Sequence, residues 1–523
     1  MKKDVIVIGT GLAGMVAAYA AQAKGADVLL IDKGPVGTGT NSAYANAVFA
    51  GPTSSYPLED YVNDTIRIGK KINHERFVRK TAKGVPSALE LLDQLGIGLK
   101  EHRDAYVFQP SRNDIIRGVP LVNNLAKRIK DLKRVDVLPG FYVSEILQSD
   151  GKACGVKGFG KDGQERSFPA STVVLATGGC GAIYLRNDNH EGILGQGYFL
   201  AAKAGLDLWD MEFVQFYPIV MVEPGLPSVM LYPPYPKEAR LLNASGEDIP
   251  GKHALGDINE AIRKKRDTFS AIIFSESKQG PVHMDYRRTP SALWDTYPLT
   301  LLKNMRFDFH SQPVRISPGA HFFMGGVRTD DDGQTVLNGL FACGEVVWGL
   351  HGANRRGGNA LTECVVWGML AGQNAARHAL EAPAPHHELE EPDNSDVPTR
   401  ASGRVRCREL RHRIKEIAWD YAGVARSENG LRVGLQEMDK VDRLVRQAAP
   451  ASAAELRSHQ DMMSASFVLR AILFASLARQ ESRGAFVRED FPEEDNTNWR
   501  KNSCLHYEPN AGVFSINHQE ANV

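Results

Sequence analysis

Three glycine-dense turns hold the residues whose types and spacing most directly imply chemistry. The first, Gly9-Thr10-Gly11-Leu12-Ala13-Gly14, fits the pattern G-x-G-x-x-G. In that pattern the first glycine permits a tight turn, the second lets backbone N–H groups approach a pyrophosphate, and the third lets a helix lie close on a sheet. Asp32 follows about 20 residues further on, where a carboxylate can accept hydrogen bonds from the ribose hydroxyls of an adenosine. The chemistry is dinucleotide binding, with the pyrophosphate at the positive end of a helix. Ala176-Thr177-Gly178-Gly179 forms the second turn and residues 339–358 the third. Glycine makes up 49 of 523 residues, above the roughly 7% of an average protein, which fits close approaches of backbone to a ligand.

The six cysteines, at 154, 180, 343, 364, 407 and 504, include no C-x-x-C pair. Such scatter argues against a disulfide scaffold, a zinc ribbon and a self-contained iron–sulfur cluster, and for reduced, mostly buried thiols. No metal site is expected, because His386-His387 lies in a Pro- and acid-rich stretch and reads as a solvated pair. Equal numbers of Lys+Arg and Asp+Glu, 62 each, offer nothing to a nucleic acid or an anionic membrane.

The elements that must position these turns are legible in outline. Residues 4–8 form a β-branched burst, the first glycine turn follows, a small-residue helix runs from Leu12 to Lys24, and residues 28–31 form a second strand. Met1-Lys2-Lys3 before an apolar stretch resembles a signal peptide, but this strand–turn–helix interior argues against one. Short strands at 135–138, 143–148, 155–158 and 167–169, with hairpin signals at Asp150-Gly151 and Asp162-Gly163, precede a buried strand at 173–175. A meander inserted there fits a flavin-binding Rossmann domain, and a nicotinamide dehydrogenase would not need it. Residues 361–376 read as a helix, 381–403 as a linker, and 410–424, 431–445 and 467–478 as apolar-faced helices of a bundle. Residues 495–523 read as extended. No run approaches the roughly 18 apolar residues of a membrane span, so no direct span and a cytoplasmic location are expected.

From Gly325 onward the motifs are longer. His321-Phe322-Phe323-Met324-Gly325-Gly326 is followed by Cys343-Gly344-Glu345, then His351-Gly352-Ala353-Asn354-Arg355 and Gly357-Gly358-Asn359. With residues 210–216 (DMEFVQF) and 478–485 (ARQESRGA), they resemble the flavoprotein subunit of the fumarate reductase, succinate dehydrogenase and L-aspartate oxidase superfamily. The resemblance implies an α/β fold: a Rossmann-like FAD-binding domain in two pieces (1–212 and 313–380), an inserted α+β capping domain (213–312), the linker, and a C-terminal helical domain with its tail (404–523). It implies FAD held by Gly9, Gly11, Leu12, Ala13, Gly14, Asp32, Lys33, Asn41, Ser42, Ala176, Thr177, Gly178, Gly179, Glu345, Asn359, Ala360 and Leu361, with Glu345 at the ribityl chain. It also implies a catalytic set: His321 on the substrate, Arg355 clamping a carboxylate through two parallel N–H donors, His351 nearby, and Arg266 as proton donor. Hydride would pass between flavin N5 and one carbon of an activated C=C bond, and a proton to its neighbour.

This sequence departs from the family pattern in three places. Dicarboxylate-handling members carry His-Pro-Thr where this chain has Tyr217-Pro218-Ile219. Their Thr-Glu pair is replaced by residues 231–236, LYPPYP. Half of the dicarboxylate clamp is missing, and Tyr217, Tyr232 and Tyr235 suggest a flatter, more aromatic or more neutral far end. The clamp could instead be rebuilt from residues elsewhere in the chain, such as Lys237, Arg240 or His310. Finally, residues 37–43 (GTGTNSA) lack the histidine that bonds flavin in quinone-linked members, so FAD is expected to be non-covalent; Asn46-Ala47-Val48 alters the adjacent Gly pair. The expected activity is an FAD-dependent reductase or dehydrogenase acting on the C=C bond of a carboxylate-bearing enoate other than fumarate. It would draw on a separate iron–sulfur or flavin protein for electron transfer. The alternatives are an oxidase like L-aspartate oxidase and a flavin electron-transfer subunit of a larger complex.

Overall fold

The computed structural model describes residues 3–110, 116–381, 407–450 and 452–521. Its central sheet runs Val135–Pro139, Val28–Asp32, Lys3–Ile8, Glu165–Leu175, all parallel, with Leu340–Ala342 also parallel to the last of these. Both faces of a parallel sheet are covered, so its strands are apolar throughout; Val5, Ile6, Val7 and all of Val28–Asp32 are buried. Helices Leu12–Ala23 and Asn359–Glu381 pack on it and cross closely. A Cβ on Gly372 would come within 2.2 Å of the Ala17 carbonyl oxygen, so only glycine admits that approach.

The meander is a hairpin, Tyr142–Ser149 and Lys152–Phe159, laid antiparallel on the first half of Glu165–Leu175. Asp150 and Gly151 both take positive φ (51° and 71°), as a two-residue hairpin turn of this hand requires. The separate strands expected at 167–169 and 173–175 are one strand. Its first half pairs with the hairpin and its second with the parallel core, which is why the sequence pattern changes midway.

Strands Val214–Met221 and Val314–Phe323 pair with each other and carry a five-stranded antiparallel sheet, completed by Val229–Met230, Val282–Asp285 and Arg240–Leu242. Helix Ile258–Ser277 covers it, and together they enclose a second hydrophobic core that includes Leu241, Phe269, Ile273 and Ile316. The helix is capped by Asp257, whose carboxylate accepts the Glu260 N–H (2.8 Å), and it breaks at Lys265, where φ and ψ are −139° and 34°.

Three helices, Cys407–Ala422, Glu428–Gln447 and Ala453–Ala478, form the C-terminal bundle. The third starts well before residue 467, because Ser452 caps it by accepting the Glu455 N–H and polar residues such as His459 and Asp461 interrupt its first turns. By length and composition this helix could cross a membrane, with a window of mean hydropathy 1.5, which corrects the expectation that no segment would. Of that window, 67% is buried against the rest of the chain. The tail is extended as expected, as the hairpin Lys501–Glu508 and Val513–Glu520 joined to Leu208–Trp209. Helix Asn359–Glu381 extends to the start of the expected linker; the remainder of that linker, including His386-His387, lies outside the described residues.

Candidate active site

A cavity of about 280 Å³ opens above the ends of the parallel strands, where ligands of such sheets bind. Its wall includes Gly9, Gly11, Leu12, Ala13, Asp32, Lys33, Asn41, Ser42, Ala176, Thr177, Gly178 and Glu345. The remaining expected cofactor residues stand behind or beside this wall. A Cβ on Gly14 would meet the Gly9 carbonyl oxygen at 1.9 Å, and one on Gly179 would meet Glu345 Oε1 at 2.3 Å. Asn359 is buried, its Oδ1 accepting the Tyr61 hydroxyl (3.0 Å). Ala360 and Leu361 line the adjoining cavity.

The residues present fit a bound dinucleotide. Helix Leu12–Ala23 begins at Gly11, which supplies no side-chain cap; its first N–H, on Leu12, donates to Ser42 Oγ (3.0 Å), and the positive end of the helix borders the cavity where an anion would bind. Asp32 is fixed by the Thr10 N–H (2.7 Å), the Thr10 hydroxyl (2.6 Å) and the Gly34 N–H (2.7 Å). The buried Thr177 hydroxyl has no partner. The bundle completes this wall: Lys33 pairs with Asp461 (2.7 Å), and Arg457 donates to the Gly140 carbonyl (2.7 Å). His190 also stands on the wall; none is found in 37–43.

A second cavity of about 510 Å³ shares Asn41, Ser42, Glu345 and Cys364 with the first. Glu345 therefore sits at the junction. Burial pushes its carboxyl up to about 7, against the Phe323 N–H that donates to it (3.1 Å). Arg266, His321 and Arg355 all line the second cavity. Arg355 is 5% exposed, its guanidinium 4.6 Å from the Phe322 ring centre, and its Nε has no partner. Burial first, then the nearby Arg266 charge, brings it down to about 10. Arg266 is not a solvated basic turn: it donates to the Asn354 Oδ1 and to the Arg355 carbonyl, both at 2.8 Å. The helix break at Lys265 immediately precedes it, while Lys264 remains outside, paired with Glu260.

His351 is not brought to the cavity. It is 1% exposed, bonded through Nε2 to Glu363 (3.0 Å) and set edge-on behind Phe322, so its place in the catalytic set is corrected to a buried support. Two wall residues were missed by the sequence reading. Asp188 bonds His321 Nδ1 through Oδ2 (2.8 Å), and no motif marked it. Arg263 lines the mouth, and its neighbours in the basic run 263–266 made it look merely solvated.

Tyr217, Met230, Tyr232 and Ile262 also line this cavity, the Tyr217 ring centre 5.8 Å from that of His321. Tyr235 does not reach it; buried behind, its hydroxyl donates to the Leu231 carbonyl. Lys237, Arg240 and His310 are not on this wall, whereas Arg263 is.

Comparison with known proteins shows the family and the fold. The family described as FAD binding domain matches residues 4–361, and that described as fumarate reductase flavoprotein C-term matches 411–523. A fumarate reductase (CoM/CoB) subunit from Methanothermobacter marburgensis is 31% identical, over 96% of this chain and 96% of that protein. An L-aspartate oxidase from Agrobacterium fabrum is also 31% identical, over 96% and 93%. In fold, the FrdA chain of E. coli quinol fumarate reductase superposes with a TM-score of 0.88, covering 100% of this chain and 97% of that one at 23% identity.

Proposed function

This chain belongs to the FAD-binding fumarate reductase flavoprotein family, an FAD-dependent oxidoreductase, and on that premise we propose that it reduces the C=C bond of an enoate bearing one carboxylate. The observation that carries the reading is the polarity of the second cavity: Arg266, His321 and Arg355 stand on its wall with the aromatic residues Tyr217 and Tyr232. Reduced FAD, when bound, supplies a hydride to one alkene carbon; with a proton delivered to the other, the two-electron reduction gives the saturated acid.

The chain's own residues bind, orient and protonate. Arg355 offers paired N–H donors to the substrate carboxylate, and burial strengthens that contact. Held by Asp188, His321 presents its other nitrogen toward the cavity and withdraws density from the carboxylate end. Arg266 is placed to deliver the proton. A guanidinium in water does not give one up, so delivery draws on Asp267, which lies 3.7 Å away with an unpartnered Oδ1. Asp188 and Asp267 offset much of the local positive charge, which fits one substrate carboxylate better than two.

The FAD is proposed to be non-covalent and to be released by acid precipitation. Its electrons would come from a separate donor protein; among the described residues no His/Cys/Asp/Glu group could hold a metal ion, and the Methanothermobacter relative is itself a subunit. The test is anaerobic reoxidation of the reduced flavoprotein by enoates, followed through flavin absorbance. Monocarboxylic enoates are expected to reoxidise it faster than fumarate, and Arg266→Ala to slow this by about 10²-fold or more. A strong preference for fumarate, or an unchanged rate in Arg266→Ala, overturns the corresponding part. A second reading, amino-acid oxidation, is favoured by Asp188, which could pair with a substrate ammonium; peroxide release on addition of L-aspartate would establish it.

A further inference from the structure

We propose that the wall of the second cavity formed by Tyr217, Met230, Tyr232 and Ile262 is an aryl subsite, so that the substrates are planar 3-arylacrylates; this rests on the enoate reading and names its substrate class. Tyr232 is held rigidly, stacked on Tyr297 with ring centres 3.6 Å apart and planes 18° apart. Tyr297 is itself anchored, donating its hydroxyl to the Met230 carbonyl (2.8 Å) and accepting the Tyr232 N–H (3.3 Å). A ring fixed in this way loses little freedom when another ring packs on it.

Tyr217 offers its ring rather than its hydroxyl. The hydroxyl is buried, turned toward the equally buried Tyr235 and Tyr286. With Met230 and Ile262 beside them, these residues present apolar and aromatic surface to the cavity. The second carboxylate of fumarate, laid on that surface, would lose hydration, and the Asp188 carboxylate on the same cavity wall would repel it. A small aliphatic enoate would leave that surface without partner atoms. The cavity, about 510 Å³, has to take the flavin ring as well as the substrate, since Glu345, Ala360 and Leu361 also line it.

The experiment uses full-length holoenzyme in two states. Reduced enzyme is mixed anaerobically with cinnamate, crotonate and fumarate, and oxidised enzyme is titrated calorimetrically with 3-phenylpropanoate and butanoate. Cinnamate is expected to reoxidise the flavin at least about tenfold faster than crotonate at subsaturating concentration, and 3-phenylpropanoate to bind at least about tenfold more tightly than butanoate. Tyr232→Ala should lower the cinnamate rate and the 3-phenylpropanoate affinity at least about tenfold more than the crotonate rate and the butanoate affinity, and Tyr232→Phe, which keeps the ring, should retain both preferences. Equal rates and equal affinities for aryl and alkyl acids, or an equal loss for cinnamate and crotonate in Tyr232→Ala, overturn the subsite even if enoates are reduced. Failure of all three enoates to reoxidise the flavin, with aryl-selective binding intact, overturns the enoate reading and supports the subsite.

Discussion

Glu345 joins the two cavities and carries a carboxyl that burial pushes from 4.5 up to about 7. A group whose folded-state pKa is raised holds its proton longer in the folded chain. The stability linked to it is fully present below about pH 4.5 and is lost as pH rises through about 7. The raised pKa corresponds to about 3 kcal/mol at most. His74, His190, His283, His378 and His518, whose pKa values burial lowers, work in the opposite sense, so the wild-type curve alone does not isolate Glu345. The difference between wild type and Glu345→Gln does. In FAD-free protein the variant should match wild type in melting temperature near pH 5 and exceed it near pH 8; a gap that is the same at both values would refute the assignment. Glu345, Arg355 and His321 were legible as motif residues. Asp188 was not, since it meets His321 only through folding across 133 positions of sequence. Proximity in sequence to Arg355 suggested His351, whose side chain turns to Glu363 instead.

At the scale of elements, the strand–turn–helix unit separates two roles that a glycine motif compresses into one pattern. Gly14 serves packing: a Cβ there would lie 1.9 Å from the Gly9 carbonyl oxygen, so Gly14→Ala must displace the helix from the sheet. Gly11 serves the ligand. Its backbone (φ −67°) is one that alanine adopts freely, and an added Cβ would meet nothing closer than Ser42 Oγ at 3.5 Å, yet the residue lines the first cavity. Gly14→Ala is therefore expected to lower the melting temperature of the FAD-free protein by several degrees, as an overpacked site costing about 1–3 kcal/mol would. Gly11→Ala should leave that temperature within a degree or so and lose FAD on gel filtration. Retention of FAD by Gly11→Ala would show that its N–H groups are not approached closely. The N-terminal unit and the Asp150-Gly151 hairpin were readable because their signals are local. The five-stranded sheet around Val214–Met221 was not: its pairings join strands separated by up to about a hundred residues, and burial removes the alternation that would reveal them.

Across the whole molecule, the bundle and tail are tied to the FAD-binding domain by charges that are entirely buried. Arg479, at the end of helix Ala453–Ala478, donates to Glu212 (2.7 Å), Glu481 (2.9 Å) and the backbone carbonyls of Trp499 and Lys501. Glu481 also holds Arg483, and Glu212 accepts from Ser503 on the tail hairpin (2.7 Å). Asp210 accepts from Asn502 (2.7 Å) and Trp348 (2.6 Å), and burial beside Glu212 raises its pKa. An ion pair in such surroundings gives little net stability over an apolar pair of the same shape, but removing one partner strands the other charge at a cost of about 3–5 kcal/mol. The network thus acts as a register, admitting the bundle and hairpin in one arrangement, and that arrangement places Arg457 and Asp461 against the cofactor cavity. Arg479→Leu should therefore lower the urea midpoint sharply and, below that midpoint, weaken FAD retention although Arg479 lines neither cavity. Arg479→Leu combined with Glu212→Leu should recover part of the midpoint, because the stranded carboxylate is removed. If the double variant is less stable than Arg479→Leu by the full cost of a second independent change, the two residues do not act as a pair. If FAD retention is unaffected while the midpoint falls, the bundle stabilises the chain without shaping the cofactor site.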